Sequence, residues 1–326
     1  MPIILTPGRY RGLKSTSLAE ADVFGIVAFD QRGSYRQMMP AGASYDALAQ
    51  VKGEIIGALS NEASAILTDP TYGLSAAMEM SPKAGLLLAL EKSGYSGDSS
   101  YRRTELIPSW TPEKIRKAGA SAVKFMVYYH PASGALADEL EALISRVVSD
   151  CHQWDLPVFL EPMSYSLDPA IAKDSAQFAA ERPEVVVETA RRLSRTGADV
   201  LKLEFPLDIK FNEDRSDWHR ACKQLSDASA APWVLLSAGV DFEQFKPQAR
   251  VACECGASGF LAGRAIWKEA TAMSPPERAA FLGTTARARL RQLLDIAGSA
   301  ARPWTDFYSA PQASETWYET YPRRAL

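Results

Sequence analysis

Apolar positions along this chain follow two periods in alternation. Short, nearly unbroken apolar runs come first: VFGIVAFDQ from Val23, AILTDPTYG from Ala65, GLLLALEK from Gly85 and AVKFMVYYH from Ala122. PVFLEPMSY from Pro157, DVLKLEFP from Asp199, PWVLLSAGV from Pro232 and GFLAGRAIW from Gly259 continue the set. Runs of this length and kind suit parallel strands buried on both faces. Between them apolar residues return every three or four positions, as in DELEALISRVVSDCHQW and PEVVVETARRLSRTG, the period of helices with one buried stripe. KAGASAVKF, RTGADVLKL and CECGASGFL each set a Gly-Ala pair before a strand, where a left-handed glycine ends a helix. Eight such strands alternating with helices predict a single (β/α)₈ TIM barrel, and no GxGxxG follows any strand to suggest a dinucleotide fold. GLLLALEK is the weakest strand signal, since it reads equally as a helical turn.

What interrupts the apolar runs carries the chemistry. Asp30 closes the first, Asp69 the second and Glu91 the third, while Lys124 enters the fourth. Glu161 closes the fifth, Lys202 enters the sixth, and Ser237 and Gly263-Arg264 end the last two. In a barrel, the C-terminal ends of the strands surround one mouth, where these folds do chemistry. Lys124 and Lys202 have apolar neighbours on both sides, and burial lowers a lysine's pKa, as does a second cation nearby. A neutral amine is the nucleophile that forms an imine with a ketone. One such lysine alone reads as structural, snorkelling or paired with a carboxylate such as Glu204; two lysines and Glu161 on consecutive strands read as a reacting set. Glu161 is the candidate general acid/base, able to take a proton from a substrate hydroxyl and return one.

The last two strands carry an anion pattern. Ser237 and Gly239 in LLSAGV, and Gly263 in LAGRAIW, let backbone approach a ligand, and Arg264 adds a bidentate cation. Asp30, Gln31 and Arg32 after the first strand offer a carboxylate, an amide and a guanidinium for substrate hydroxyls and phosphate.

Composition narrows the picture. The chain has 326 residues with 47% hydrophobic and 23% charged positions. It reads as one domain over residues 1–326, with a barrel core at about 20–300 and a C-terminal aromatic-rich extension from about 301. That extension holds Trp304, Phe307, Tyr308, Trp317, Tyr318 and Tyr321, and is expected to pack on the barrel or on a second subunit, which makes a homo-oligomer the expectation. Net charge is −3, so no basic field points to nucleic acid or a membrane surface. No apolar run is long enough for a bilayer and the N-terminus lacks a signal layout, so a cytoplasmic protein is expected. Four cysteines (Cys151, Cys222, Cys253, Cys255) and three scattered histidines match neither a disulfide framework nor metal-ligand spacing. The expectation is therefore no metal and no cofactor.

Taken together, AFDQRG, EKSGY, GASAVKFMVYYH, VFLEPMSY, DVLKLEFP, PWVLLSAGV and GASGFLAGRAIW resemble the class I tagatose 1,6-bisphosphate aldolase family of LacD type, which also contains sulfofructosephosphate aldolases. The resemblance spans residues 23–270. It implies a metal-independent lyase on a TIM barrel, with Lys202 as the imine-forming lysine, Lys124 as the second active-site lysine and Glu161 as the catalytic glutamate. It also implies substrate contacts by Asp30, Gln31 and Arg32, and phosphate binding by Gly263 and Arg264. The implied reaction is cleavage of a ketose 1-phosphate or 1,6-bisphosphate, tagatose 1,6-bisphosphate first, to dihydroxyacetone phosphate and an aldehyde such as glyceraldehyde 3-phosphate. A 6-deoxy-6-sulfofructose 1-phosphate aldolase giving sulfolactaldehyde is the alternative substrate reading. Two further alternatives are another Schiff-base barrel enzyme, such as a dehydratase or transaldolase-like transferase, and a non-catalytic sugar-phosphate-binding regulator. Arg102-Arg103 and the aromatic tail fall outside the recognisable motifs and are candidates for holding the far end of the substrate.

Overall fold

The computed structural model describes residues 2–319 and 321. All eight apolar runs are strands: β1 Phe24–Phe29, β2 Ala65–Thr68, β3 Gly85–Ala89 and β4 Ala122–Tyr128. β5 Val158–Met163, β6 Val200–Leu203, β7 Trp233–Leu236 and β8 Gly259–Ala262 follow. They form a closed barrel in chain order, every pair parallel, and β8 returns to β1 with Phe24 opposite Gly259. The run from Gly85 is thus a strand, paired with β2 from Ala65↔Gly85 and with β4 from Leu87↔Ala122. The three joints carry their glycines, Gly119, Gly197 and Gly256, at positive φ of 86°, 93° and 109°. There an L side chain would be strained, and glycine lets the helix end and the strand begin within a few residues.

Alternation along each strand separates two cores. Outward-facing residues such as Val27, Val123, Leu160 and Leu201 join the layer between strands and helices. Helix Ala135–His152 supplies its buried stripe from Leu136, Leu140, Ile144, Val147, Val148 and Cys151, spaced as the sequence pattern requires. The helix expected from Pro183 starts earlier, at Ala176, with Ser175 Oγ capping Phe178 N–H at 3.2 Å and Pro183 inside it.

The other parity fills the barrel itself: Phe24, Ile26 and Ala28 from β1, Leu67, Leu87, Ala122, Phe159, Val200, Val234 and Leu261. Leu5 and Leu13 from the N-terminal segment, and Trp304 and Tyr308 from the tail, belong to this same cluster and close the barrel floor. Ile3–Ile4 pairs in parallel with Tyr308–Ser309, and Tyr308 Oη donates to the Asp199 carbonyl at 2.9 Å. The aromatic tail therefore packs on the barrel, although Trp317 and Tyr318 stay exposed. Residues 320 and 322–326 of the tail lie outside the described residues. Among the described residues no helix is long and apolar enough to cross a membrane, and no group of three His, Cys, Asp or Glu side chains is placed to hold a metal ion.

Candidate active site

Continuing the inward parity toward the C-terminal ends of the strands leads from carbon to charge. Two residues past Ala28 comes Asp30, and two past Ala89 comes Glu91. Lys124 stands two past Ala122, Glu161 two past Phe159, and Lys202 two past Val200. Because side chains alternate along a strand, these five top the interior stack without any loop having to fold back. All five are buried, from 1% exposed for Glu91 to 8% for Asp30.

Glu161 is the bridge. Its Oε1 lies 2.9 Å from Lys202 Nζ and its Oε2 lies 2.8 Å from Lys124 Nζ. Lys124 Nζ also donates to Asp30 Oδ2 at 2.7 Å and to Glu91 Oε1 at 2.8 Å. Glu91 is held in turn by the Met126 N–H at 3.0 Å, and its backbone carbonyl accepts from Arg32 at 2.7 Å. The expectation that burial and a neighbouring cation lower the Lys124 pKa is therefore wrong. Burial does disfavour the ammonium, but Asp30, Glu161 and Glu91 together outweigh it and hold the pKa well above the ordinary lysine value. Glu91 itself is pushed up, burial outweighing the attraction of Lys124, whereas the lysines bring Asp30 far down against its own burial. Glu204, the partner that a structural Lys202 would have, turns elsewhere: Lys173 binds it at 2.6 Å and Ser164 N–H at 2.8 Å.

The anion pattern also assembles. Ser237 Oγ accepts from the Gly263 N–H at 3.3 Å, which ties the ends of β7 and β8 together. Gly239 adopts φ +82°, and a Cβ built on it would stand 2.6 Å from Arg264 Nη2, so the guanidinium occupies the space a side chain there would need. Ala238 beside it also has positive φ, +47°, an uncommon state for a residue with a side chain that marks a tightly constrained turn. Gln31 Oε1 and Arg32 Nε are buried without a hydrogen-bond partner among the described residues. Buried polar groups are normally satisfied, so both are suited to a ligand.

Sequence reasoning missed Lys52. Fully buried in helix Tyr45–Leu59, its Nζ donates to the carbonyls of Phe29 at 2.8 Å and Gln31 at 3.0 Å, and it pairs with Asp69. It thus grips the backbone on both sides of Asp30. Asp69 serves this clamp and the N–H groups of Thr71 and Tyr72, and does not join the lysine–carboxylate cluster. A lysine on an amphipathic helix carries no signal that would have distinguished it.

A parallel barrel whose inner top layer alternates lysine and carboxylate suits an enzyme that works on carbonyl compounds through an amine nucleophile. The chain matches the DeoC/LacD family aldolase over residues 24–269. It is 33% identical over 329 aligned positions to the tagatose 1,6-diphosphate aldolase 2 of Streptococcus pyogenes serotype M3, covering 94% of this chain and 99% of that protein. It is 32% identical to the tagatose 1,6-diphosphate aldolase of Lactococcus lactis subsp. lactis, covering 93% and 99%. Its fold resembles the fructose-bisphosphate aldolase from Slackia heliotrinireducens, with a TM-score of 0.64 at 14% identity over 89% of each chain. The chain belongs to the LacD-type class I aldolases of the DeoC/LacD family, enzymes of the lyase class.

Proposed function

We propose that this aldolase cleaves tagatose 1,6-bisphosphate, or a closely related ketose 1-phosphate, through an imine on Lys202. The observation that carries the reading is the contact chain Lys202–Glu161–Lys124, buried at the mouth. Lys202 gives one ammonium proton to Glu161 at 2.9 Å and the neutral amine attacks the C2 carbonyl carbon. A second proton moves from nitrogen to the former carbonyl oxygen, Glu161 returns its own proton there, and water leaves to give the iminium and an ionised Glu161. Glu161 then takes the proton of the C4 hydroxyl. The C3–C4 bond breaks, its electron pair enters the iminium as an enamine, and an aldehyde departs. Protonation at C3 and hydrolysis release dihydroxyacetone phosphate and restore Lys202. Lys124 stays cationic throughout, stabilising charge on the substrate oxygens and positioning Glu161. Arg264 with Gly239, Ser237 and Gly263 holds the 1-phosphate. Asp30, Gln31 and Arg32 take the hydroxyls, a role suited to the unpaired Gln31 Oε1 and Arg32 Nε. The names of the curated relatives favour the tagatose bisphosphate among ketoses. The floor segments and the barrel are read as one domain built around this mouth.

Borohydride added with dihydroxyacetone phosphate is expected to fix covalent mass on the Lys202 peptide, and none in Lys202→Met. Label on another lysine, no label, or activity abolished by a chelator would overturn the imine.

A further inference from the structure

The excursion between β3 and β4 is built rather than loose. Lys92 N–H donates to Glu105 O at 2.8 Å, and Ser96 and Arg103 exchange backbone bonds at 3.0 and 2.8 Å. Tyr128 N–H, at the end of β4, donates to Thr104 Oγ1 at 3.3 Å. This flap delivers half-buried Arg102 into a cage of three tyrosines. Its guanidinium carbon lies 4.6 Å from the Tyr95 ring centre, 5.1 Å from Tyr165 and 5.4 Å from Tyr128. Two of the rings follow the reacting residues: Tyr128 is four residues past Lys124, and Tyr165 four past Glu161. Lys124, Met126 and Tyr128 share the inward face of β4, so the cage stands above the cluster by four strand residues, about 13 Å at the usual rise.

The guanidinium is oriented but not neutralised. Its Nε donates to Ser99 O at 2.8 Å, and among the described residues no carboxylate lies within 4.0 Å of it. Its neighbour Arg103, by contrast, pairs with Glu139. Ring faces hold a guanidinium by its plane and leave its N–H edge for a planar or tetrahedral anion. Around the barrel, Arg264 follows β8 and Arg102 covers β4 and β5, so Lys202 on β6 lies between two cations.

Building on the imine reading above, we propose that Arg102 is the specificity-determining residue for the far end of the substrate. It would bind the tetrahedral oxyanion, phosphate or sulfonate, carried by the aldehyde-forming half while Arg264 holds the 1-phosphate. The test compares kcat/KM for a ketose 1,6-bisphosphate, a 6-sulfonated ketose 1-phosphate and a plain ketose 1-phosphate in the wild type and Arg102→Gln. The ratio of a distally charged substrate to the plain 1-phosphate is expected to fall roughly ten- to a hundredfold, mainly through KM, as for loss of a charge-assisted hydrogen bond. The arm that falls identifies the anion. Tyr95→Ala, which removes one cage ring and keeps the charge, lowers the same ratio by roughly two- to fivefold, and serves if Arg102→Gln does not fold. Unchanged ratios, or equal loss on all three substrates, would overturn the proposal. Borohydride labelling of each variant with dihydroxyacetone phosphate keeps the outcomes apart: no label even on wild type defeats the imine reading itself.

Discussion

Glu161 and Glu204 stand on neighbouring segments of the barrel, both buried, in opposite company. Glu161 faces two interior lysines, whereas Glu204 is gripped by Lys173, Arg182 and Ser164 outside that cluster. Burial alone would raise the Glu204 pKa, but the two cations and the hydrogen bonds prevail and bring it to about 2. Its folded pKa thus lies below the unfolded value, so its contribution to stability is complete above the ordinary glutamate pKa and is lost as pH falls from there toward 2. At about 1.4 kcal/mol per unit, the contribution is on the order of 3 kcal/mol. Urea unfolding from pH 6 to 2 is expected to show a shallower acid loss in Glu204→Gln than in the wild type; parallel curves would refute the assignment. Both glutamates were visible in the sequence as carboxylates beside apolar strands. The partners of Glu204 were not, because Lys173 and Arg182 reach it from other segments of the chain.

At the level of elements, strand alternation does most of the positioning. It carries Asp30, Glu91, Lys124, Glu161 and Lys202 to one layer, so their candidacy was legible from the runs they interrupt. The turn after β7 adds what alternation cannot. Gly239 at φ +82° leaves room for the Arg264 guanidinium, and a methyl group there would collide with it. Gly239→Ala is expected to cost about 1–3 kcal/mol of stability through the left-handed backbone. It should also raise KM for phosphorylated ketoses more than it lowers kcat, if the displaced guanidinium holds the 1-phosphate as proposed. Steady-state kinetics beside thermal melts would check this, and a kcat-only defect would contradict it. The run from Gly85 shows the opposite limit. Its periodicity fits helix or strand, and pairing with β2 and β4 decides for strand.

For the whole molecule, the barrel needs its floor. Trp304 is fully buried, packs edge-on against Tyr10 at 5.1 Å, and shares the interior cluster with Leu5 and Leu13. Truncating so large a buried side chain leaves a cavity, and Trp304→Ala is expected to lose about 3–5 kcal/mol. Because the floor lies at the opposite end from the lysines, kcat at low temperature should hold while the urea midpoint drops. A selective loss of kcat would instead tie the tail to the chemistry.

By itself the sequence determined the strands other than the run at Gly85, the parallel barrel they imply and the residues that crown them, because burial and period are local properties written into consecutive positions. It also determined the aldolase family, through motifs spread over most of the barrel. Only the tertiary structure decided the state of Lys124, whose three carboxylates come from three other strand ends and reverse the effect of burial. The same holds for Lys52 gripping the carbonyls beside Asp30, and for Arg102 caged by rings from three segments. Electrostatics and positioning depend on which distant residues share a few ångströms, and spacing along the chain does not encode that distance.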